Sequence, residues 1–232
     1  MRQRLITEVL LVLAVTFGAS GVRAVLRLIE SLIAAPLNEQ STVLVNQQST
    51  TTWIDLALQL TSVGVLIAWG GLAWYLLNER WRWPRWRDLG AGAGLAALIG
   101  LPGLAFYIAA VHLGFSKVVV PATDAVQIPT SLLWAFANGF GEEVVVVMYL
   151  LTRLAQLGWK PWQAVAASAG LRGSYHLYQG LSAGLGNVVM GVIFAWFFHR
   201  TGRVWPLILA HFLIDAIAFT AYPLLDLSWL GI

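Results

Sequence analysis

A chain of 232 residues that is 59% hydrophobic and only 11% charged holds less than half the ~25% charged residues of an ordinary soluble domain, so it is read as a bilayer protein. At ~20 residues per crossing plus short loops, the length accommodates about six to eight spans in one integral membrane domain over residues 1–232, with no room for a second. The net charge of +3 is too small to argue for nucleic acid, and the absence of cysteine excludes disulfides, thiol nucleophiles and thiolate metal sites.

The fold class expected is all-α, a polytopic membrane helix bundle. Leu5 to Ser20 reads as a short first span, preceded by the basic MRQR; no small-residue cleavage site follows, so it is not taken as a signal peptide. Gly21 to Pro36 is amphipathic, with Arg23, Arg27 and Glu30 on one side. Asn38 to Thr52 is polar and reads as a loop. Trp53 to Leu77 is a full span, followed by NERWRWPRWRD, whose interleaved Trp and Arg are read as an interfacial belt beside a basic loop, not as a nucleic-acid stacking surface. Further spans are expected over Gly90–Leu113, Pro129–Thr152, Pro161–Tyr178, Ser182–Phe198 and Val204–Tyr222, before the apolar tail LLDLSWLGI. No internal repeat is visible.

Orientation follows from the loop charges. With the N-terminus inside, 10 of the 14 basic residues fall in inside loops, leaving Arg23, Arg27, Lys117 and Arg172 elsewhere. The N-terminus is therefore expected in the cytoplasm.

Ionisable residues inside spans are expensive and default to a functional hypothesis. The Pro129–Thr152 span carries Asn138, Glu142 and Glu143; the Pro161–Tyr178 span carries Arg172, Tyr175 and His176; the Val204–Tyr222 span carries His211 and Asp215. Each set has an i, i+4 pair on one helix face (Asn138 with Glu142, Arg172 with His176, His211 with Asp215), so three helices can present polar stripes to a common centre. Glu142 and Glu143 sit about 100° apart on an α-helix and are not expected to point at one spot; one is read as the chemist and the other as its anchor. His112 and His199, near span ends, are read as interfacial.

A carboxylate beside an imidazole can take a proton from water, and a second imidazole with a polar neighbour can steady an oxyanion. That chemistry is peptide hydrolysis without a protein nucleophile. The same residue types also make a His₂-carboxylate zinc set of Glu142, His176 and His211, and the spacing leaves both versions open. A third reading makes Glu142 purely structural, paired to Arg172 across helices.

GEEVVVVMYLLTRL, then RGSYH, then HFLID after an RTGRVWP turn, resemble in this order the motifs of the CPBP family, the type II CAAX prenyl proteases and their bacteriocin-processing and Abi-type relatives. The resemblance covers about residues 130–220, the motif-bearing core. It implies an intramembrane endopeptidase with an eight-helix fold, in which the amphipathic N-terminal segment packs on the catalytic helices. Glu142 and His176 would activate water, His211 and Asp215 would stabilise the oxyanion, and Glu143 and Arg172 would support them. The family pattern usually has Arg where this chain has Val147, and Phe where it has Arg172, so one guanidinium is expected to be supplied from the next helix instead. The implied partners are a peptide or protein substrate, lipidated ones included, together with membrane lipids and no nucleic acid; the implied location is a plasma membrane of bacterial type. The competing readings are a non-enzymatic immunity or scaffold protein of the same fold and a proton-coupled transporter, the latter disfavoured by the absence of half-repeats.

Overall fold

The computed structural model describes residues 2–45, 47–78, 83–120 and 128–224, with side chains followed to Thr220. Glu79 to Arg82 of the Trp/Arg loop and the tail beyond Leu224 lie outside the described residues. The chain forms α1 (Arg2–Val15), α2 (Phe17–Ala34), β1 (Ser41–Val43), α3 (Thr52–Leu77), α4 (Trp86–His112), β2 (Val118–Val120), α5 (Ile128–Glu142), a π-helical segment (Glu143–Tyr149), α6 (Leu150–Gln156), α7 (Pro161–His176), α8 (Leu181–Thr201) and α9 (Trp205–Leu224). The all-α membrane bundle expected from composition is the observed class.

Among the described residues, four stretches are long and apolar enough to cross a bilayer: α3, α4, the continuous rod Ile128–Gln156 and α8. Helices α1 and α2, bent by 49° at their junction, make a fifth if counted as one span, and α9 is a shorter apolar helix over Trp205–Thr220. The count falls toward the low end of the six to eight expected. Two details account for this. The expected first span, Leu5 to Ser20, is broken at Thr16, whose hydroxyl donates back to Val12 O (2.7 Å), the kind of local bond that bends helices. Helix α7 has only 16 residues and buries Ser168, Arg172 and Tyr175 inside the bundle, so it is an interior helix.

The rod Ile128–Gln156 is the centre. Val144 to Val147 are all fully buried, as a helix apolar on every side must be. Neighbouring helices come close because small residues face them. A Cβ on Gly139 would stand 2.9 Å from Ile208 O of α9, and one on Gly173 would stand 2.9 Å from Gly184 O of α8, the small-residue contact that membrane helices use to bring backbones together.

Helix α2 buries Phe17, Gly21, Ala24, Leu28 and Ser31, one face at helical spacing, and packs it on α7. The Phe17 ring lies 4.9 Å from that of Tyr175 and 5.5 Å from that of Trp69. The amphipathic segment thus packs as the resemblance implied. The polar stretch after it, read as a loop, contains β1, which pairs in parallel with β2 at Ser41↔Val118 through Val43↔Val120. Lys117 donates to Ser31 Oγ (2.7 Å) and ties this ribbon to the last turns of α2.

The opposite end of the bundle is basic. Arg153 donates to Leu76 O (2.5 Å) at the end of α3 and to Glu8 Oε1 (2.8 Å) of α1, which also accepts from Tyr149 (3.0 Å). Arg203, in the turn before α9, donates through Nε to Asp88 Oδ1 (2.6 Å) in the first turn of α4. These bonds fix Arg153 and Arg203 at this end, where Arg85 lines the same cavity as Arg203.

Candidate active site

Glu142 closes α5 and Glu143 opens the π-helical segment. Four successive valines after the glutamates crowd an α-helix, because β-branched side chains are stiff against the preceding turn, and the widened π geometry falls on them. Turns of this kind recur at functional sites. Ser168 Oγ from α7 donates to Val146 O in this segment (2.7 Å).

The two glutamates, expected to diverge, meet on one side chain. Arg172 donates through Nη1 to Glu142 Oε2 (3.3 Å) and through Nη2 to Glu143 Oε1 (2.6 Å). The guanidinium fork is wide enough to span two carboxylates that a single-atom partner could not join. Arg172 is fully buried, with its Cζ 5.6 Å from the centre of the Phe194 ring. The expected supply of a guanidinium from the next helix is therefore what the structure shows, and Val147 is a buried core residue.

Glu142 Oε2 also accepts from Tyr175 OH (2.6 Å), while its Oε1 makes no hydrogen bond among the described residues. Glu143 is fully buried and its Oε1 is also bonded by His211 Nδ1 (2.7 Å). Glu143 Oε2 is likewise without a hydrogen bond among the described residues, but it is sealed inside the bundle, whereas Glu142 keeps slight exposure; Glu143 is therefore the more deeply anchored of the pair, and Glu142 the one a water can reach.

His176, the last residue of α7, bonds through Nδ1 to Arg172 O (3.0 Å). A backbone carbonyl only accepts, so Nδ1 carries the hydrogen and the lone pair of the neutral ring lies on Nε2. His176 is partly buried. On α9, His211 Nε2 lies 3.6 Å from Asp215 Oδ2, too long for a hydrogen bond. Asp215 instead accepts from Asn138 Nδ2 (2.9 Å). Asn138, expected on one face with Glu142, reaches across to α9.

All six sequence-selected residues, Glu142, Glu143, Arg172, His176, His211 and Asp215, thus belong to one buried cluster drawn from α5, α7 and α9. His112 and His199 stand exposed at helix ends, away from it. Sequence reasoning placed Tyr175 among the polar residues but gave it no role, and its position one residue before His176 was the available signal. Among the described residues no three His, Cys, Asp or Glu side chains are grouped to hold a metal ion; the bonds to Glu142, His176 and His211 use Oε2 and the two Nδ1 atoms, leaving Oε1 and the Nε2 atoms without a hydrogen bond among the described residues.

No curated protein and no solved structure matches the chain. Residues 124–217, the stretch that contains every member of the cluster, match the family model described as Rce1-like, type II CAAX prenyl endopeptidase Rce1-like. That match makes this stretch of the chain similar to the type II CAAX prenyl endopeptidases, in line with the motifs it carries.

Proposed function

We propose that the chain is an intramembrane endopeptidase that hydrolyses a peptide bond with water activated by Glu142 and His176. The observation that carries the reading is the asymmetric hold on Glu142. Tyr175 and Arg172 fix one carboxylate oxygen and leave the other to a water, beside an imidazole whose lone pair sits on Nε2. Glu142 takes the proton from water as the hydroxide adds to the scissile carbonyl, and His176 helps pass that proton to the leaving amine. His211, held on Nδ1 by Glu143 and carrying a proton on both ring nitrogens, donates its Nε2–H to the developing oxyanion, with Asp215 and Asn138 behind it. Glu143 and Arg172 hold the constellation in place. No step is derived through a metal.

The test is cleavage of a peptide library by the purified protein in lipid nanodiscs, read by mass spectrometry, with each peptide offered bare and carrying a C-terminal prenyl group. Products that share one scissile position are expected. Intact peptides throughout would favour the immunity or scaffold reading of the same fold.

We also propose that the basic end of the bundle faces the cytoplasm of a bacterial-type plasma membrane, with the N-terminus on that side. Trp159 is exposed in the turn between α6 and α7, at this end. A Trp159→Cys variant of this cysteine-free chain should resist an impermeant thiol reagent on intact cells and label after lysis. Labelling of intact cells equal to that of lysed cells would reverse the orientation.

A further inference from the structure

At the basic end, between the C-terminal turns of α3 and α8 and the starts of α4 and α9, lies a cavity of about 610 Å³. Its apolar lining comes from Met148 and Phe198, its aromatic walls include Trp74, Trp83 and Trp205, and its polar edge carries Arg85 and Arg203. None of these residues belongs to the polar cluster of the candidate active site. Arg203 is held by Asp88. Arg85 is exposed, and among the described residues no carboxylate is ion-paired with it. The cavity therefore has an exposed guanidinium at its mouth, Trp rings near the ends of membrane-crossing helices, and a buried hydrocarbon floor at Met148. That sequence of chemistries, read from mouth to floor, matches an amphiphile with an anionic head.

We infer that this cavity is a binding site for an anionic glycerophospholipid, its phosphate on Arg85 and its glycerol and first methylenes against Trp205, Phe198 and Met148. A lipid, as opposed to a free phosphate, is the occupant because the floor is apolar and the cavity opens at the end of membrane-crossing helices. Met148 belongs to the π-helical segment that starts at Glu143, so an occupant touches the same rod that carries the glutamates.

The test uses the full chain in nanodiscs of phosphatidylcholine doped with phosphatidylglycerol, with native mass spectrometry counting retained lipid. Arg85→Gln removes the cavity's guanidinium, and Arg23→Gln removes an exposed arginine from α2 as the charge-matched control. Phosphatidylglycerol should be retained on the wild type and on Arg23→Gln, and about fivefold less on Arg85→Gln, the loss expected for one basic side chain near an anionic surface. Inorganic phosphate added to a phosphatidylcholine disc should not displace into the site. Equal retention on the two variants, equal retention of phosphatidylcholine, or binding of inorganic phosphate as strong as that of the lipid would each overturn the inference.

Discussion

Replacing Glu142 with glutamine is expected to lower peptide cleavage by about 10² or more while the bundle stays assembled. The amide keeps the length of the side chain, and its carbonyl oxygen can still accept from Tyr175 OH. What it loses is the basic oxygen that takes the proton from water. Glu143→Gln is the informative comparison, because Glu143 is fully buried and joins Arg172 to His211. Neutralising it leaves Arg172 with Glu142 alone, so the larger loss there should appear in the detergent unfolding midpoint. Both variants are assayed for cleavage and for thermal unfolding in the same detergent. Equal loss of cleavage with both proteins folded would end the division between a base and an anchor.

Arg172→Phe should cost several kcal/mol of stability, since removing one partner from a buried ion pair strands the other charge. Here two carboxylates are stranded, one of them with no exposure at all. The phenylalanine itself is a residue that the resembling motif tolerates, so the steric change is modest beside the electrostatic one. Adding Val147→Arg to the same chain supplies a guanidinium from the rod one turn beyond Glu143, and part of the loss should return. A double-mutant cycle on the unfolding free energy reads the coupling, expected at about 0.5 to 3 kcal/mol. Additive effects would show that position 147 cannot serve the glutamates in this backbone.

The helices were legible because apolar runs interrupted by short basic loops have few other solutions in a bilayer, and most expected limits fall within a few residues of the observed ones. The cluster was legible for a related reason: Glu142, His176 and His211 are costly where they sit, and cost marks use. Pairing was not legible. Helical spacing put Asn138 with Glu142, and Arg172 with His176, on common faces without naming their partners; the structure bonds Asn138 to Asp215 and His176 to the backbone oxygen of Arg172. Spacing along one helix says which side chains share a face, and nothing about which neighbouring helix supplies the partner. The convergence of both glutamates on Arg172 was missed for a second reason, since the 100° argument fixes where two side chains leave the rod and ignores the reach of a guanidinium that enters between them. The bond from Arg153 to Glu8 escaped notice because a carboxylate in the first turns of a terminal helix reads as an ordinary interfacial residue.

That last bond sets an order of events during synthesis. Arg153 leaves the ribosome 145 residues after its partner Glu8, a delay on the order of ten seconds at ordinary elongation rates. Throughout that interval α1 has no ionic tether, and its carboxylate must stay at the water boundary of the translocon or bilayer. Helix α1 can therefore take this tether only after the rod that carries Arg153 has been made.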